Sequence, residues 1–518
     1  MKQNSTNPIA AVYDRRTFQN HSRTIFFAFF AFFAVNFLCH AQIQQAWVAR
    51  YNNGITNGTN QAVTMALDTN GNIYITGFSQ NTNGNLGYAT IKYAPNGNQL
   101  WVARYDSTNY PLAQATGLAL DYQSNVVVTG SAVTVKYDSK GNQLWTLPYS
   151  GAGVAVDSSN SVCITGVASN YTTMKFTPAG SNLWTQTFTS AGPCGAQTIN
   201  LGPSDTIYVC GYEFYSYMPE LHRVHATLIK YDPLGTQLWT ANTGSGPQGY
   251  AIVQDAKVDN AGNLYFVCNY DLGFGGFIQY AFSVSGGVLF PASDPTSNRY
   301  SLGNSLALDC SNNVFVTGES ASGQYVGAYC TCKINTAGAY VWTNGYPYIP
   351  TLTHQSTTTN AATSIAVDHL NNVYVTGYSE GTNSGLDIVT IKYDNNGNQL
   401  WLQRYNGSGN GDDEGNAIAV DANGNVYVAG YETTAAGGTE MVLIKYAPGP
   451  FLKKQANGSM LLQAAGAAGE SFDFQASTNL VNWQDLGTNT ADSNGLVQFL
   501  DTNAPLFPYR FYLANPQQ

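Results

Sequence analysis

Residues 364–405 read SIAVDHLNNVYVTGYSEGTNSGLDIVTIKYDNNGNQLWLQRY, and residues 418–446 open the same phrase again as IAVDANGNVYVAGYETTAAGGTEMVLIKY. In the second copy Ile418 and Val420 alternate with Ala419, which is the period of a strand. Ala422-Asn423-Gly424-Asn425 follows; Asn and Gly accept positive φ, so this is hairpin-turn chemistry. Val426-Tyr427-Val428-Ala429 is β-branched and aromatic and predicts a second strand, and Met441–Tyr446 a third. In the first copy Asn396-Gly397 turns the chain into a fourth strand, Gln399–Tyr405. Each unit is a four-stranded antiparallel meander with two tight turns.

The Asp that ends the first strand recurs at Asp68, Asp121, Asp157, Asp259, Asp309, Asp368 and Asp421, and Gly202 holds the same slot in one further unit. Those eight units have a mean spacing of about fifty residues, the signature of a β-propeller. A Lys marks the third strand at Lys92, Lys136, Lys175, Lys230, Lys333, Lys392 and Lys445, with Gln279 in the fifth unit. Nine residues after six of these Lys stands a Trp: Trp101, Trp145, Trp184, Trp239, Trp342 and Trp401. The local reading is that each Asp caps its turn while the Lys stem lies along the sheet. Unit four lacks the Asp and its neighbour lacks the Lys, which predicts an ion pair running from one unit to the next.

VYVTGYS, TIKYD and GNQLW resemble the bacterial SBBP family, the seven-bladed β-propeller repeats of secreted and surface proteins. The resemblance spans roughly residues 46–446 and implies a propeller; this chain has eight units. Ala46-Trp47-Val48-Ala49-Arg50-Tyr51 matches the fourth strand Trp101–Tyr105, so the repeats open on an orphan fourth strand. The eighth unit stops at Tyr446 after its third strand. Pairing the two closes the ring and removes two sheet edges.

Outside the repeats, Arg15, Arg16 and Arg23 precede the apolar run Ile25–Val35, and Cys39-His40-Ala41 ends it, which is the grammar of a signal peptide over 1–41. The run is short for a membrane span. Removing it leaves 17 basic and 30 acidic residues, a balance that argues against nucleic acid as a partner. The propeller is expected over 42–446. Ala447-Pro448-Gly449-Pro450 opens a linker to 455. Residues 456–518 alternate differently and predict a small β-sandwich; QASTNLVNWQDLGT with a terminal YRFY resembles fibronectin-like C-terminal modules of large secreted bacterial proteins. Location is expected to be secreted, periplasmic or cell-surface, with no integral membrane span in the mature chain.

No catalytic constellation stands out: there is no Gly-x-Ser-x-Gly elbow and no recognisable Ser/His/Asp order. The mature chain has seven Cys, an odd number; Cys330 and Cys332 share a strand face and take apolar repeat positions. His222 and His225 fall three apart in what reads as a loop, too few ligands for zinc. Asp412, Asp413 and Glu414 follow a Gly/Asn-rich loop and are the candidate Ca²⁺ ligands; otherwise no cofactor is expected. Tyr393-Asp394-x-x-Gly397-x-x-Leu400-Trp401 also resembles the tryptophan-docking repeat of eight-bladed quinoprotein dehydrogenases, which hold a quinone and Ca²⁺ at the ring centre. The vicinal Cys pair sought with that reading is missing.

The remaining signal lies in the loops. First-to-second and third-to-fourth turns share one end of a meander and are short. Second-to-third loops and the links between units share the other end and vary in length, as binding loops on a scaffold do. They carry aromatics in units four to six: Tyr212, Phe214, Tyr215 and Tyr217, then Tyr270 and Phe274, then Tyr300, Tyr325, Tyr346 and Tyr348. The expected function is a non-catalytic scaffold that binds a surface protein or glycan through this variable face. The alternatives are a quinoprotein-like enzyme and a purely structural surface protein.

Overall fold

The structure is a computed structural model that describes residues 25–27, 43–448 and 451–517, apart from 168–170, 191, 219–220, 244–249, 272–275, 283–285, 287, 294–300, 321–326, 347–359, 383, 456, 466–468 and 493–495. Among the described residues it is all strand, with two short 3-10 turns and no α-helix. The chain divides into two compact parts, residues 40–449 and residues 450–518 with 1–39.

The larger part is a run of antiparallel meanders. Units one to three occupy 60–105, 115–147 and 153–188; units four to seven occupy 194–242, 250–293, 301–346 and 361–405. Unit eight takes three strands from 414–448 and its fourth from Ile43–Tyr51. That last strand pairs antiparallel with Thr439–Pro448, Ile43 opposite Pro448 and Tyr51 opposite Met441, as the two incomplete repeats predict. Units four and five share one sheet through a parallel pairing of Val224 with Tyr250.

First strands face each other at the centre: each packs on the first strand of the next unit, and Glu414–Val420 packs on Asn60–Leu67. Seven of them carry a β-bulge, which leaves one extra residue out of the ladder: Val63, Thr116, Gln197, Gln254, Asn304, Thr363 and Asn416. Each stands five residues before the marker Asp or Gly202. In unit three Ala152 has that place, just ahead of the strand Gly153–Val156.

The repeat residues do two jobs. Within a unit, the Asp caps the turn: Asp121 Oδ1 accepts from the amides of Gln123 and Asn125, and Oδ2 from Asn125 Nδ2. The Lys pairs with the Asp of its own unit, Lys136 with Asp121 at 2.9 Å and Lys175 with Asp157 at 2.8 Å. This corrects the expected ion pair between units; the third strand brings the Lys beside the end of its own first strand. Between units, the Trp makes the joint. Trp101 Nε1 donates to Ser139 O at 3.1 Å, and Trp47, Trp145, Trp184 and Trp342 donate to the corresponding turns of the next unit. The indole lies on the glycine of that turn: Gly141 has φ +89, and a Cβ there would come 2.8 Å from Trp101. At the rim, Arg50 donates to Tyr405 Oη at 2.6 Å, Arg104 to Tyr51 Oη at 3.3 Å and Arg404 to Tyr346 Oη at 3.4 Å, each to the preceding unit.

The smaller part has two sheets. One joins Ile25–Phe27, Phe511–Pro516, Ser471–Ser477 and Gln484–Thr490; the other joins Phe451–Lys454, Met460–Ala465 and Leu496–Asp501. Leu462, Phe472, Phe474, Val497 and Tyr512 form its core, with Phe474 stacked on Phe499 at 5.1 Å. The stretch read as a linker is strand at both ends: Ala447 and Pro448 finish one strand, and Phe451–Lys454 pairs with Met460–Gln463. Of the apolar N-terminal run, Ile25–Phe27 is described, paired with Tyr512–Ala514.

Candidate axial binding site

The bulge residues form a belt around the centre. Thr116 Oγ1 donates to Gly151 O at 2.7 Å, joining unit two to unit three. Asn304 Nδ2 donates to Ala362 O at 2.9 Å, Thr363 Oγ1 to Gly415 O, and Asn416 Nδ2 to Ala62 O at 2.9 Å, which carries the belt from unit six to unit one. A bulge aims its extra side chain out of the ladder, so each short polar residue reaches the carbonyl opposite.

The belt is open in units three to five, and also at unit one, where Val63 has no polar side-chain group to give. Ala152 has no side-chain donor to give. Gln254 Nε2 turns back to Ile252 O of its own strand at 3.4 Å. Gln197 Oε1 is buried and has no hydrogen-bond partner among the described residues. Here lies a cavity of about 620 Å³, lined by Thr116, Gly130 and Ser131 of unit two, Ser150–Ala152, Gly195–Gln197 and Tyr212 of unit four, and Val253 and Gln254 of unit five. First strands begin and second strands end at this level, so the cavity opens on the variable face. Units two and three have the shortest repeats, and Ser131-Ala132-Val133 is all that links the middle strands of unit two. The rim is therefore low on that side.

Tyr212 is the expected aromatic that reaches the cavity. Its ring lies over Gly195, where a Cβ would approach it to 3.1 Å, and Phe214 meets it edge-on at 5.9 Å. Between them Glu213 is held by its neighbours: Oε2 accepts from Thr227 Oγ1 at 3.2 Å and lies 3.2 Å from His225 Nε2, and Oε1 accepts from Ser190 Oγ.

Several expectations need correction. Tyr212, Phe214, Tyr215 and Tyr217 are in the strand Ile207–Met218, whose hairpin with Leu221–Tyr231 also holds His222 and His225; the sequence reading made both a loop. β-Rich side chains in both arms let the pairing run on. Tyr270 is likewise in a strand, Leu264–Asp271. Tyr346 belongs to a joint: its ring meets Tyr329 at 5.9 Å and its hydroxyl receives Arg404. Phe274, Tyr300, Tyr325 and Tyr348 lie outside the described residues. Asp412, Asp413 and Glu414 do not converge as metal ligands, and among the described residues no group of three or more His, Cys, Asp or Glu does. Asp412 Oδ1 accepts from Leu386 N at 3.0 Å; Asp413 accepts from Thr433 N at 2.8 Å and from Gly407 N. Burial pushes the Asp413 carboxyl up to about 6, with Glu432 and Asp387 adding to it against those two amides. Burial also pushes Glu414 up. Cys330 and Cys332 are buried.

The bulge residues were missed. Their signal is a polar residue five before the marker in six of eight units: Thr116, Gln197, Gln254, Asn304, Thr363 and Asn416.

Meanders set around a ring of first strands define a β-propeller. Two segments, 352–383 and 400–431, match the family model of the SBBP beta-propeller repeat. No curated protein matches the chain. Among solved structures, a protein of unknown function from Dyadobacter fermentans is similar at 9% identity, covering 78% of this chain and 99% of that one, with a TM-score of 0.40. A protein of unknown function from Bacteroides caccae is similar at 13% identity, covering 54% and 93%, with a TM-score of 0.32. A structure of YCF48 bound to D1 peptide is similar at 10% identity, covering 65% and 92%, with a TM-score of 0.39.

Proposed function

We propose that the chain is an exported, non-catalytic β-propeller of eight units, closed by its N-terminal strand, that holds a protein or glycan on its variable face. The observation that carries this reading is the cavity of about 620 Å³ where the central belt is open. Its size falls in the range of about 300–1,000 Å³ common for small-ligand sites. The signal-peptide grammar of residues 1–41 and the acidic balance support export and a partner other than nucleic acid. The lining offers amides, hydroxyls and one phenol; a quinone held with Ca²⁺ asks for carboxylates, so the chemistry of the lining favours binding over that enzyme. A purely structural role predicts no ligand at all.

The test is to probe wild-type protein and Ala152→Trp on a glycan array and an array of purified extracellular proteins. The expected result is binding that the cavity-filling variant loses, with its melting temperature nearly unchanged. No binding on either array, or equal binding by the variant, overturns the reading.

A further inference from the structure

We propose that the open sector of the belt is a site for a neutral saccharide, read by the side-chain amides of Gln197 and Gln254 and stacked on Tyr212. This rests on the reading of the variable face as a binding face and adds the ligand's chemistry.

The polar bulge side chains elsewhere in the belt have a role that uses them up: Thr116, Asn304, Thr363 and Asn416 each donate to the next unit's backbone. At units four and five the same position carries Gln, one methylene longer than Asn, and neither bridges to the next unit. Among the described residues the Gln197 side-chain oxygen has no donor. An acceptor that no protein group satisfies accepts from a hydroxyl or N–H of whatever occupies the cavity. Gln254, on the neighbouring first strand, brings a second amide to the same cavity.

The rest of the lining selects among donors. Among the described residues no lining side chain is charged, so neither a cation nor an anion finds a counter-charge there. The chain's net charge of −10 further opposes polyanions. An apolar ligand or a peptide side-chain anchor would find Val253, Ala152, Ala196 and the Tyr212 ring, but would leave the Gln amides and the Ser and Thr hydroxyls of the lining without partners. Sugar hydroxyls both donate and accept, as Gln amides and Ser or Thr hydroxyls do together. A pyranose also presents a face of C–H groups, which matches an aromatic ring fixed in place. Tyr212 is fixed by Gly195 beneath it and Phe214 at its edge. The ring therefore serves as the platform and the two amides set which hydroxyl pattern is accepted.

The test uses the full mature chain on an array of neutral hexose and N-acetylhexosamine oligosaccharides, sialylated and uronic-acid oligosaccharides, and extracellular proteins, followed by calorimetry with the strongest neutral glycan. Gln197→Leu and Tyr212→Ala should each weaken that binding by roughly tenfold or more. Tyr122→Ser, at a residue 78% exposed on the opposite, short-turn end, should leave it unchanged. Melting curves identify loss by unfolding; should Tyr212→Ala unfold, the smaller change Gln197→Leu decides. Neutral-glycan binding unaffected by Gln197→Leu overturns the proposal. So does binding confined to anionic glycans or proteins; when Ala152→Trp still blocks that binding, the variable-face reading stands and only the saccharide is wrong. No binding on any array overturns both.

Discussion

At the residue scale the buried pair Asp121–Lys136 shows what a repeated charge does. Lys136 is 2% exposed and Asp121 5%. Burial pushes the Asp121 carboxyl up, but hydrogen bonds from Lys136 and Asn125 outweigh it and hold it below the usual range. The pair therefore stabilises the fold above the ordinary Asp value of about 3.9, and that contribution is lost as pH falls further. Asp121→Asn keeps an oxygen for the turn amides but leaves Lys136 charged and alone. It should cost about 3–5 kcal/mol in urea unfolding, and Lys136→Met in the same chain should recover most of it. Asp413 has the opposite sign. Its carboxyl is pushed up to about 6, so the folded chain binds that proton more tightly than the unfolded one. Stability should rise as pH falls from about 6 toward 4, and the rise should flatten in Asp413→Asn, measured by melting temperature across that window. The capping role of Asp121 was legible because its partners lie within four residues. The role of Asn416 was not: its acceptor, Ala62 O, is 354 residues away.

At the element scale the joint between units is a turn fitted to an indole. Gly141 is required twice, by φ +89 and by the space that Trp101 fills. Gly141→Ala should destabilise by about 2–3 kcal/mol, read by equilibrium unfolding; an unchanged midpoint would mean that the joint yields freely. The strands themselves were readable from alternation and Asn-Gly turns. Two features escaped. Bulges look like the last loop residue before a strand, because one extra residue breaks the alternation at its start. The hairpin Ile207–Met218 with Leu221–Tyr231 was read as a loop because repeat length, not local propensity, set the expected strand ends. That error misplaced four aromatics, yet Tyr212 still reaches the cavity, since it stands just past Gly211, where the repeat strand was expected to stop.

At the scale of the whole molecule the period of about fifty residues made the architecture legible, because the same phrase recurs with its Asp, Lys and Trp in register. The site was only half legible. Periodicity exposes what units share, whereas the cavity arises where they differ, at Ala152, Gln197 and Gln254. The pairing of Ile43–Tyr51 with Thr439–Pro448 has a mechanical side. Ile43 lies opposite Pro448, so the chain enters and leaves this strand pair at the same end. Tension applied between those two points peels the ladder one rung at a time, like a zip, whereas tension between Tyr51 and Pro448 loads all the rungs at once. Single-molecule pulling through handles at residues 43 and 448 should open the clasp at markedly lower force than handles at 51 and 448; equal forces would show that the seam does not bear the load. Held at residues 43 and 448, the protein would thus unlatch in its weakest direction, and this strand pair would part before any whole meander is torn apart.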